Sequence, residues 1–144
     1  MSSDSGINPM RWDCATRGCF NRVKRPKIEL LADCLPGRIA FGDIDGIVEI
    51  NGNLLLLEWK EHSQIATGQR ILFQRLTRLC PATVLIVEGD AQDMSVTSLR
   101  TVWQGEISRT ESANLDELRR HIRAWSQYAM THCALLPARE APCN

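Results

Sequence analysis

Four charged residues fall at spacings that strand geometry would bring to one place. They are Asp43 and Asp45 in Gly42-Asp43-Ile44-Asp45-Gly46, then Glu58 and Lys60 in Leu54-Leu55-Leu56-Leu57-Glu58-Trp59-Lys60. Side chains along a strand alternate faces, so Glu58 and Lys60 project to one face and Trp59 to the other. Between the two runs stands Asn51-Gly52-Asn53, and Asn-Gly between apolar runs is the strongest short hairpin signal. With Asn51-Gly52 as a two-residue turn, Ile50 faces Asn53, Asp45 faces Glu58 and Asp43 faces Lys60. With Gly52-Asn53 as the turn, Asp45 faces Lys60 instead, and all four groups still share a face. Directly opposed Cβ atoms lie about 5 Å apart, and two carboxylates at that distance repel unless a proton or a cation sits between them. A hard divalent ion, held by one or two carboxylates and keeping several waters, relieves that repulsion. Lys60 can then stabilise an anionic nucleophile or charge developing on a phosphate. The competing account is a cross-strand ion cluster in which Lys60 offsets Glu58 and Asp43. Strands apolar on both faces favour the metal, because charges closing buried strands are costly unless paired or ligated.

The elements that must position these groups are legible on either side. Pro26 with Ile28, Leu31 and Ala32 predicts a helix over about 26–34, ended by Leu35-Pro36-Gly37. The hairpin strands, Ile44–Ile50 and Leu54–Trp59, read as central and buried. Ile65–Leu79 predicts a helix with Leu72, Leu76 and Leu79 on its inner face, and Thr83–Glu88 a buried strand. Val96–Trp103 alternates loosely, as a strand or an edge ribbon. Asn114 with Glu117 offers a capping box for a helix whose apolar stripe is Leu115, Leu118, Ile122, Trp125 and Ala129. The expected order is αββαβ(β)α, an α/β fold with a central mixed β-sheet, a hairpin at its core and flanking helices.

Asp45, the hairpin, Glu58-Trp59-Lys60 and a following helix that contains Gln69 together resemble the PD-(D/E)XK nuclease superfamily, the restriction-endonuclease-like fold. The resemblance covers residues 26–90. It implies a Mg²⁺-dependent nuclease acting on DNA, with Mn²⁺ able to substitute. Asp45, Glu58 and the backbone carbonyl of Trp59 would hold the metal, and Lys60 would orient or activate the attacking water. It also implies catalytic roles for Gln69 and for Glu29, on the helix before the hairpin. The sequence departs from the family pattern in lacking a Pro before the first acid, which makes Asp43 a rival ligand to Asp45. Glu29 reads equally well as an exposed helix residue paired with Arg25, and Gln69 as an ordinary polar residue near a helix start. Arg70, Arg75 and Arg78 read as a solvated helix face or as phosphate contacts. A non-catalytic nucleic-acid-binding or assembly protein that keeps the nuclease fold is the alternative function.

With 144 residues, 44% of them hydrophobic and 24% charged, the chain suits one globular domain able to bury its own core. The expectation is a single domain over 11–131, a flexible stretch over 1–10 and a tail over 132–144. Lys and Arg balance Asp and Glu at 17 each, so overall charge argues for no nucleic-acid partner. A local basic segment does: Arg17, Arg22, Lys24, Arg25 and Lys27 lie within Arg11–Lys27 with Asp13 as its one acid, and would contact backbone phosphate. No apolar run approaches a membrane span, and residues 1–10 lack a basic-then-apolar leader. The expectation is a cytoplasmic protein of a bacterial or phage-infected cell, its small size suiting a phage or mobile element, with a homodimer compatible. The six cysteines then read as reduced, buried thiols. Cys14 and Cys19, even with Cys34 or His62, supply too little of a tetrahedral set to make structural zinc the better reading.

Overall fold

Asn51 and Gly52 adopt φ values of 53° and 82°, the left-handed pair that a two-residue hairpin turn of type I′ requires. The turn fixes the register of β1 (Gly46–Ile50) on β2 (Asn53–Lys60), from Ile50 facing Asn53 to Gly46 facing Leu57. This is the first of the two expected registers. The structure, a computed structural model, describes residues 26–62 and 64–135, except the Glu29 side chain. Expectations for Arg17, Arg22, Lys24, Arg25, Cys14, Cys19, the first ten residues and the tail beyond 135 fall outside these limits.

The chain divides into two compact units between Gly42 and Asp43. In the first, a 3-10 helix spans Ile28–Cys34 where an α-helix is expected. Lys27 provides no side-chain cap and the run is seven residues long, too short to offset the cost of an α-helical nucleus. Of Ile28, Leu31 and Ala32, whose spacing predicts the helix, Leu31 and Ala32 are exposed and Ile28 is half-buried.

The second unit is a six-stranded mixed sheet. After β2 come α1 (Thr67–Leu79), β3 (Ala82–Asp90), β4 (Ser95–Trp103), the short β5 (Glu106–Ile107) and β6 (Glu111–Ser112), and α2 (Leu115–Thr131). The strands lie in the order β1-β2-β3-β4-β5, with β6 also on β4. β2 and β3 are parallel, joined through α1, and the remaining pairs are antiparallel. The α/β class and the mixed sheet are as expected.

Each face of the sheet has its own core. On one, Leu56, Val84, Ile86 and Val102 pack with Phe73 of α1. On the other, Leu55, Leu85, Val87 and Leu99 pack with Leu118, Ile122 and Trp125 of α2. The capping box forms as its spacing predicts: the Glu117 amide donates to Asn114 Oδ1 at 3.0 Å, and the Asn114 amide to Glu117 Oε2 at 2.8 Å.

Two sequence expectations about burial are corrected. Among the described residues β1 is an edge strand, pairing with β2 alone, and its Ile47 and Val48 are exposed on opposite faces. On α1 the inner face runs through Phe73, Leu76 and Thr77, while Leu72 and Leu79 are exposed. Thr77 can be buried because its hydroxyl donates to the Phe73 carbonyl at 2.8 Å and accepts from the Gly105 amide at 3.0 Å. A polar residue so satisfied costs little to bury, and it pulls the helix away from the all-leucine stripe. Among the described residues no helix is long and apolar enough to cross a membrane.

Candidate active site

The parallel pair β2–β3 carries its charged residues at its carboxyl ends. Alternation on β2 sends Leu54, Leu56, Glu58 and Lys60 to the α1 side, and Leu55, Leu57 and Trp59 to the α2 side, as the two cores show. The Trp59 indole N–H donates to the Gly89 carbonyl at 2.9 Å, which ties the end of β2 to β3. Glu58 is only 7% exposed. Its Oε1 receives the Lys60 ammonium at 2.9 Å and the Gln69 side-chain amide at 2.6 Å. Gln69 reaches it because α1 runs back over the sheet from the carboxyl end of β2, placing its first turn above Glu58. Both donors converge on one carboxylate oxygen and leave Oε2 outside these contacts. The Gln69 carbonyl oxygen is buried and, among the described residues, finds no hydrogen-bond partner.

Asp45 reaches the same stretch of β2 by another route. The β1–β2 ladder stops at Gly46 opposite Leu57, so Asp45 and Asp43 precede the strand and do not face Glu58 and Lys60 as strand partners. In a continued ladder the Trp59 amide would bond to the Ile44 carbonyl. Asp45 Oδ2 accepts from that amide instead, at 2.7 Å, and the strand begins at Gly46, two residues after the expected Ile44. The N–H and C=O of a strand residue leave on the same side, so the Trp59 carbonyl projects toward the Asp45 side as well. Asp43 and Asp45 are exposed.

The structure therefore brings together Glu58, Lys60 and Gln69, with Asp45 on the backbone between the first two. Glu29 lies in the other unit, and its side chain is outside the described residues. Lys27 is exposed. Sequence reasoning missed Glu88, the in-register neighbour of Lys60 across the parallel pair. Ser98 Oγ donates to Glu88 Oε2 at 2.9 Å, and a bulge interrupts the β3–β4 register at Glu88/Gly89. Bulges of this kind re-aim side chains beside functional sites. The Gly89 position is committed to glycine, since a Cβ there would lie 2.0 Å from the Ser95 carbonyl oxygen.

No family model, curated protein or solved structure matches the chain. The site is thus read on its own chemistry. Two carboxylates and one backbone carbonyl are hard oxygen donors suited to Mg²⁺, which takes one or two carboxylates and keeps its waters. Among the described residues no three His, Cys, Asp or Glu side chains converge as a metal-holding group, so these donors would act with the Trp59 carbonyl and solvent. The described cysteines depart from the expectation of buried thiols: Cys34 is free and exposed, Cys80 free and half-buried, and Cys133 disulfide-bonded.

Proposed function

We propose that the chain is a Mg²⁺-dependent nuclease hydrolysing phosphodiester bonds in DNA, with a site of the PD-(D/E)XK type. The observation that carries the reading is Glu58, buried at a strand end with Lys60 and Gln69 on one oxygen and Asp45 held beside the Trp59 backbone. Asp45, Glu58 and the Trp59 carbonyl would hold the metal. Bound there, Mg²⁺ supplies a Lewis acid for the phosphoryl oxygen and lowers the pKa of its water. Lys60 carries three donor hydrogens and spends one on Glu58, leaving the others for the negative charge that grows on the phosphate in the transition state. Gln69, by donating its side-chain amide to Glu58, acts as a positioning residue that orients the carboxylate. The basic segment that ends at Lys27 supplies phosphate contacts independent of sequence.

One observation favours the second reading, a nucleic-acid-binding protein without turnover: the Asp45 carboxylate already has structural work at the Trp59 amide. Calorimetric titration with Mn²⁺, paired with DNA binding in a chelator, separates the two. An enzyme binds Mn²⁺ and loses it on Asp45→Ala. A binder takes up no metal at this site and keeps its full DNA affinity in the chelator.

A further inference from the structure

We propose that a second site, a cleft at the amino ends of β2 and β3, binds one nucleotide unit, an aromatic base with its phosphate. The cleft has a volume of about 260 Å³ and is lined by Arg78, Trp103, Gln104, Trp125 and Tyr128 together with small polar residues. Among the described residues no carboxylate lines it. Two other cavities differ in charge: one carries Glu61, Glu88 and Asp90, the other Glu111 and Glu117 beside Arg120 and His121. Among the described residues Arg78 is thus the one full charge of a cleft walled by aromatic rings, which is the chemistry of a planar, anionic ligand.

The cleft is built ahead of any ligand. Trp103 and Tyr128 are 54% and 51% exposed, and exposed rings grouped in a concavity mark a surface that gains by being covered. Tyr128 is stacked on His132, ring centroids 4.1 Å apart and planes 15° apart, so its ring is held as a platform. Bases of any sequence stack on such rings, because each presents a π-face. Among the described residues no carboxylate pairs with Arg78. Its guanidinium lies against Gly105, whose φ is +82° and where a Cβ would come within 2.8 Å of Nε. Gly105 is therefore kept bare against the Nε–Nη2 edge of the cation, and the Nη1 donors are the ones turned to a phosphate in this proposal. A volume a little below the roughly 300–1,000 Å³ of drug-sized pockets suits one ring system.

This site lies at the other end of β2 from Glu58 and needs neither metal nor cleavage, so it is tested in EDTA, where failure of the nuclease reading has no effect. Tryptophan fluorescence is titrated with dAMP and, separately, with a short oligo-dA strand, on the full chain and on Trp103→Ala and Arg78→Met. Both positions are solvent-facing, and far-UV circular dichroism checks that each variant folds. Saturable quenching by dAMP, weakened about tenfold or more in each variant, supports the proposal with a free nucleotide as ligand. Quenching by the strand alone, weakened to the same extent, supports it with a segment of single-stranded nucleic acid as ligand. Absence of saturable quenching by either probe, or quenching unchanged in both folded variants, overturns it.

Discussion

The two ends of β2 bury polar groups in opposite ways. At the amino end, Asn53 is 6% exposed, and its side-chain amide donates to the Ile50 carbonyl at 3.2 Å and the His132 carbonyl at 2.6 Å. Asn51 adds donations to the Ala129 and Met130 carbonyls. The hairpin turn thereby satisfies carbonyls that the last turn of α2 leaves without helical partners. At the carboxyl end, Glu58 is buried to the same degree, yet its second oxygen and the Gln69 carbonyl oxygen take no part in the bonds between them. A buried polar group whose bonding closes within the fold is architecture. One left open costs stability and keeps a place for something the chain does not itself supply.

The comparison makes its largest prediction at the closed end. Asn53→Ala removes both donors and leaves two carbonyls short of a partner, so urea unfolding should show a loss of about 2–3 kcal/mol. Cleavage per folded molecule should be unchanged. A variant as stable as the parent would show that the turn does not anchor α2. At the open end, Gln69→Met gives up the 2.6 Å bond to Glu58 but also removes the buried unpartnered oxygen. The two effects offset, and unfolding should shift by less than about 1 kcal/mol while turnover falls. A loss matching that of Asn53→Ala would erase the distinction between the two ends.

The smallest effect concerns a carboxylate that is satisfied and exposed. Hydrogen bonds from Ser95, side chain first and then backbone, hold the Asp93 carboxyl below its usual range. A depressed folded pKa contributes stability above the unfolded value of about 3.9, and that contribution is lost as pH falls through the folded value. A carbon-detected NMR titration of Asp93 should therefore show a midpoint below that of an exposed reference aspartate. A midpoint above it would reverse the sign.

Local signals carried much of this fold to the surface of the sequence. Asn51-Gly52 fixes the hairpin register through its own backbone conformation, and Asn114 with Glu117 starts α2 through bonds three residues long. Non-local pairing leaves no such local signal. Whether β1 is central or an edge depends on a neighbour that no residue of β1 encodes. The inner face of α1 turned on Thr77 finding Gly105, far along the chain. Glu88 escaped notice because its place beside Lys60 exists only once β2 and β3 lie parallel. Register puts Asp45 near Glu58, but its side chain bonding the Trp59 amide follows from where the ladder stops, which alternation does not show.

The central claim is that the open end of β2 is a metal-dependent hydrolytic site, and single-turnover cleavage of end-labelled DNA in Mg²⁺ tests it most directly, comparing the parent with Glu58→Gln at matched folded fraction. The amide keeps the shape of the side chain and removes the charge that holds the metal. The account predicts Mg²⁺-dependent cleavage by the parent, reduced about a hundredfold or more in the variant. Cleavage by Glu58→Gln at the parental rate, or no cleavage by the parent in Mg²⁺, would contradict it.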